Sequence, residues 1–94
     1  MELTIAAIED EIIRLVAAKS GEKPAQLRAF LRAKGDDMPI DSQRTMEVLA
    51  DLDYNLSVDI PANQKTDIAC KSITRLAKYV FALSQKQKAR KKTA

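Results

Sequence analysis

The chain contains no histidine and no tryptophan, and only two glycines and one cysteine among 94 residues. The missing histidine removes the commonest general base and the commonest metal ligand. Gly21 and Gly35 stand alone, so no glycine-rich loop can cradle a phosphate. Cys70 by itself forms neither an internal disulfide nor a metal cluster, which suits a reducing compartment. It reads as a small buried apolar residue, since nothing near it in sequence would lower its pKa. Aromatics are 4% of the chain, so the core must come from Leu, Ile, Val, Met and Ala. No apolar run approaches membrane-spanning length. The opening "MELTIAAIEDEIIRL" carries acids where a secretory signal needs a basic start and a clean apolar run. These absences predict a cytoplasmic protein without catalytic residues of its own. Any chemistry it joins would use it as an attachment point.

What remains is helical patterning throughout. Thr4 can cap a first helix whose Ile5, Ile8, Ile12, Leu15 and Val16 recur at helical spacing, and Ser20-Gly21 stops it. In "EKPAQLRAFLRAKG", Pro24 suits a first helical turn, Gly35 a stop, and Leu27, Phe30 and Leu31 give one apolar face. "DDMP" then reads as a loop, because Pro39 disfavours helical angles at its predecessor. A helix is predicted from Asp41 or Ser42 to about Asn55, with Thr45, Val48, Leu49, Leu52 and Leu56 turned inward. "LSVDIP" alternates like a strand but is too short and isolated to pair. It reads as a turn anchored by Val58 and Ile60, and "ANQKTD" holds one helical turn. A last helix starts near Ser72 with Ile73, Leu76, Ala77, Val80 and Leu83 inward. "KQKARKKTA" has no apolar face and is expected to fray. The expected fold is therefore all-α, a small four-helix bundle whose long first loop contains a short extra helix at residues 24–34. Residues 1–85 form the helical domain and 86–94 a basic flexible tail. The expected core is Ile8, Ile12, Leu15, Leu49, Leu52, Leu56, Ile60, Ile73, Leu76 and Val80.

The Asp41-Ser42 pair stands at the mouth of the third predicted helix. Asp and Ser are preferred caps, each worth about 1 kcal/mol, and that alone accounts for the pair as local structure. A serine there also exposes a hydroxyl that can form a phosphodiester, beside backbone N–H groups at the positive end of a helix. Asp41 can cap the helix or hold a divalent ion during such a reaction.

From Asp41 to Pro61 the chain resembles the acyl carrier protein family, peptidyl carrier domains included. That family has an Asp-Ser pair at the start of its second helix, and the serine receives 4′-phosphopantetheine. Thr45 and Glu47 match residue types frequent there, "SVDIP" follows the serine at the family's usual distance, and "SITRLAKYV" resembles its final helix, with Tyr79 in a familiar place. The likeness spans roughly residues 4–82. It implies an acyl or aminoacyl carrier that is not an enzyme. Its thioester-bound intermediates would hang from a phosphopantetheine arm on Ser42, in fatty-acid, polyketide or nonribosomal-peptide synthesis. Two positions depart from the pattern. Pro39 replaces the usual Gly, and Gln43 replaces the Leu that commonly forms part of the modifying transferase's grip.

The resemblance further implies partners. A phosphopantetheinyl transferase would use coenzyme A and Mg²⁺ to modify a monomeric carrier. Loading and synthase enzymes would dock on the helix after Ser42, at Gln43, Met46, Glu47, Ala50, Asp53 and Tyr54. Charge supports that face. Residues 36–67 carry eight acids against Arg44 and Lys65, and basic partner surfaces would be steered toward them. Arg44 occupies a position where many relatives have an acid. The formal net charge of +3 comes from the end of the chain, where Lys86, Lys88, Arg90, Lys91 and Lys92 cluster. Without that cluster, residues 1–85 sum to −2. No stable nucleic-acid or membrane partner is expected. Two other readings stand beside the carrier: an unmodified relative acting as an interaction module, and a small basic helical protein that binds nucleic acid through its tail.

Overall fold

The computed structural model describes residues 3–93, with side chains described for residues 3–88. Six helices follow one another: α1 (Ile5–Ser20), α2 (Pro24–Lys34), α3 (Ser42–Met46), α4 (Leu49–Leu56), α5 (Gln64–Ala69) and α6 (Ile73–Thr93). The fold is a small all-α bundle. The Thr4 hydroxyl accepts the Ala7 N–H at 3.0 Å and starts α1. Gly21 ends it in the left-handed region (φ 69°), where a residue with a side chain would be strained. The second helix has the bounds its sequence predicts, Pro24 to Lys34.

α6 lies along α1 in the most extensive pairing of the bundle; α2 packs on α1, α5 on α6, and α3 and α4 on α1. Ile8, Ile12, Leu52, Ile73, Leu76 and Val80 are fully buried, as expected. Leu15, Leu49, Leu56 and Ile60 are half-buried at the rim, packed against that core. Ile13, Leu27, Leu31, Met38 and Val48 complete the interior. Phe30 departs from expectation. Leu27 and Leu31 sink into the core, whereas Phe30 is 55% exposed under the Lys34 ammonium, which sits 4.5 Å from the ring centroid.

Two further expectations are corrected. The helix predicted from Ser42 to Asn55 is two helices, broken at Glu47-Val48. The Val48 N–H turns back to the Thr45 carbonyl at 3.1 Å, a tight i→i−3 closure. The Thr45 hydroxyl bonds the Ser42 carbonyl, the back-bonding that bends helices. The last helix also continues to Thr93, through the segment expected to be a flexible tail. Lys, Gln, Arg and Ala are strong helix formers, and extending an existing helix needs no new nucleus.

One contact supports that continuation. The Gln87 amide accepts the Asp59 N–H at 2.9 Å and donates to the Asp59 carbonyl at 2.8 Å, pinning the "SVDIP" turn to α6. Gln87→Ala and truncation after residue 85 should both leave a folded bundle. Each is expected to cost about 1 kcal/mol, the net worth of ordinary hydrogen bonds. Urea denaturation of the three proteins measures this. Outright unfolding of the truncated chain would show that residues 86–94 hold the bundle together.

Candidate functional site

Ser42 opens α3, and its position is fixed from both sides by the junction between α5 and α6. Two residues before it, the Ile40 N–H donates to the Lys71 carbonyl at 2.9 Å. Pro39 pairs with Ser72 in an isolated β-bridge. Three residues after it, the buried Thr45 hydroxyl lies 2.6 Å from the Cys70 carbonyl. The loop before the serine is held as well. The Ser72 hydroxyl donates to the Asp37 carbonyl at 2.5 Å, and the Ile73 N–H to the Met38 carbonyl at 3.0 Å. Met38 is fully buried at φ 53°, a left-handed conformation that a non-glycine residue holds only when its surroundings dictate it. The turn is a fixed pedestal.

On it, the Ser42 side chain is half-buried, and among the described residues no hydrogen bond occupies its hydroxyl. Asp41 is the helix cap: its carboxylate accepts the Gln43 N–H at 3.0 Å. That corrects one idea from the sequence. With five residues in α3, and the Gln43 N–H already taken, the helix start is no anion cradle. The turn offers a hydroxyl. Among the described residues, no cluster of three or more potential ligands is placed to hold a metal ion.

The six residues named for docking do not all behave alike. Gln43, Met46, Glu47, Ala50 and Tyr54 are exposed, Tyr54 by 84%. Ala50 and Tyr54 lie four apart on one face of α4, and Met46 is exposed at the end of α3 just before the break, with Glu47 and Asp51 exposed among them. Asp53 is half-buried, and its carboxylate accepts the Ile60 N–H at 3.0 Å, which ties the turn after α4 to that helix. Arg44 points away from these exposed residues. Its guanidinium donates to the Ser20 hydroxyl at 2.8 Å and pairs with the Glu22 carboxylate at the end of α1. Its charge is thus spent locally, and the exposed stretch stays acidic.

α4 is fastened to α1 through Asn55, whose amide donates to Glu11 at 2.8 Å. The Arg14 guanidinium grips the same Glu11 carboxylate with two bonds, of 2.7 and 2.8 Å, and holds its pKa below the ordinary carboxylate value. Cys70 is buried, and burial pushes its thiol pKa up, the opposite of what a nucleophile needs. Sequence reasoning missed the part played by residues 70–72, and it missed Ile68, which is 49% exposed on α5 next to α3. Residues 70–72 have no local signature, because they act through partners some 25 or more residues distant in sequence, as the Thr45–Cys70 bond shows.

Thr45→Val tests the pedestal. It removes the hydroxyl, keeps the shape, and leaves the Cys70 carbonyl buried without its partner, at an expected cost of about 1–3 kcal/mol in urea denaturation. A cost near zero would mean that the bond does not hold α3 in place.

No protein-family model matches the chain, and no solved structure matches it. Two curated proteins do. The chain is 27% identical over 73 residues to an acyl carrier protein of Rickettsia bellii (strain OSU 85-389), covering 78% of this chain and 86% of that protein. It is 26% identical over 73 residues to an acyl carrier protein of Rickettsia bellii (strain RML369-C), covering 78% and 81% respectively. Over most of its length the chain is thus similar to acyl carrier proteins, and it shares with that resemblance an all-α bundle and an Asp41-Ser42 pair at a helix start.

Proposed function

We propose that this protein carries acyl groups as thioesters on a 4′-phosphopantetheine arm attached to Ser42. The observation that carries the reading is the serine's presentation. A hydroxyl without a hydrogen-bond partner among the described residues stands on a turn that residues 70–72 hold in place, and the neighbouring Cys70 is buried. The residues present suit the group: Asp41 is occupied with capping, Gln43 beside the serine is exposed, and the hydroxyl is accessible enough to form a phosphodiester. When bound, the arm supplies a terminal thiol, which this chain's own buried cysteine does not.

In this reading, a separate transferase with Mg²⁺ joins the Ser42 oxygen to the phosphorus of coenzyme A, and the nucleotide half leaves. The chain supplies the hydroxyl and the pedestal. Loading and synthase enzymes then meet the acidic stretch of Met46, Glu47, Ala50 and Tyr54, with Gln43 at its start. Asp53 contributes mainly by shaping the adjoining turn. The protein acts in the cytoplasm. Gln43 favours the second reading, an unmodified module that uses the same stretch, because the transferase would lose an apolar grip next to the serine. Incubation with transferase, Mg²⁺ and coenzyme A bearing a fluorescent thiol label separates the two. The wild-type chain should become fluorescent and Ser42→Ala stay dark. Equal labelling of both would place the modification elsewhere.

A further inference from the structure

Residues 68–94 contain eight Lys and Arg and not one Asp or Glu, whereas residues 36–67 sum to −6. The structure turns most of that basic stretch into one helix. The inner side of α6 is apolar, with Ile73, Leu76, Ala77 and Val80 fully buried. Arg75, Lys78, Ala82 and Lys86 follow one another three or four residues apart on its outer side, with Gln85 beside the last, all exposed. From Arg75 to Lys86 the face runs about 16 Å at helical rise. Arg75 meets Asp37 only at 3.7 Å, and among the described residues Lys78, Lys86 and Lys88 have no carboxylate within ion-pairing distance. Arg90, Lys91 and Lys92 belong to the same helix.

We propose that the outer face of α6 docks on an anionic lipid surface. Among the described residues the large exposed apolar side chains are Phe30, Met46, Tyr54 and Ile68, none of them on α6, so the contact is electrostatic and does not insert. The helix is packed on α1 along its inner side, so its outer side is the one free to meet a partner. A planar array of headgroup charges can engage the whole row at once. The proposal does not rest on modification of Ser42.

The test is co-sedimentation of the full chain with vesicles of one-third phosphatidylserine in phosphatidylcholine, against pure phosphatidylcholine. Binding should require the anionic lipid and weaken as salt is added. Each surface cation contributes about fivefold in affinity, so the doubly substituted Lys78→Glu/Lys86→Glu chain should bind at least about 25-fold more weakly. Both positions are exposed, and its circular dichroism should be unchanged. Ser42→Ala should bind like the wild type. Binding to neutral vesicles, no binding to anionic ones, or an equal loss from Lys23→Glu/Lys34→Glu at the two ends of α2 would overturn the proposal. So would tighter binding to a random-sequence DNA duplex, or salt-sensitive self-association that accounts for the pelleting.

Discussion

Leu52→Ala is expected to destabilise the bundle by about 2–5 kcal/mol, the range for emptying a fully enclosed leucine site. Leu52 is completely buried on α4, the helix that carries most of the acidic stretch after Ser42. α4 has only eight residues and no side-chain cap at its start, so its place depends on tertiary packing more than on its own propensity. Small domains have roughly 5–15 kcal/mol in total, so the loss is a large fraction of what holds the fold. Leu49→Ala, at a half-buried rim site one turn away, should cost clearly less. Urea denaturation of both variants beside the wild type gives the comparison. A loss below about 1 kcal/mol for Leu52→Ala, or equal losses for the two, would contradict the helix register described here.

Much of this architecture was legible because local rules decide it. Thr4, Gly21 and Pro24 act through their own backbone geometry, and the structure uses each as its residue type predicts. The periodic leucines and isoleucines of α1, α4 and α6 face inward for the same reason. Three features were not legible. The break at Glu47-Val48 coincides with the Thr45 hydroxyl reaching the Cys70 carbonyl, a partner 25 residues away. Phe30 sits at the edge of a stripe that the core fills with Leu27 and Leu31 alone. The continuation of α6 looks unfavourable by apolar periodicity, yet helix propensity and the Gln87–Asp59 clasp sustain it.

At the site, the Asp-Ser pair was visible and its cap geometry came out as the residue types imply. What the pair could not reveal was its support. Pro39, which departs from the family's usual glycine, takes part in the bridge to Ser72. Arg44, which departs in charge, is turned toward Ser20 and Glu22. Both unusual residues are thus used in holding α3 to its neighbours. Gln43 alone stays exposed next to the serine, where a transferase would meet it.

Everything functional therefore converges on the Ser42 hydroxyl. The direct measurement is the intact mass of the protein after incubation with coenzyme A, Mg²⁺ and its host's own transferase, with Ser42→Ala treated identically. The serine is at the surface of a fixed turn and its hydroxyl has no hydrogen-bond partner in the described structure, so removing its oxygen should leave the fold and its helical spectrum unchanged. The account predicts that the wild type gains the mass of one phosphopantetheine and Ser42→Ala gains nothing, a complete loss of the carrier's attachment point. No gain by the wild type, with the host's and a broad-specificity transferase alike, would contradict it and leave Ser42 as part of a helix cap in an interaction module.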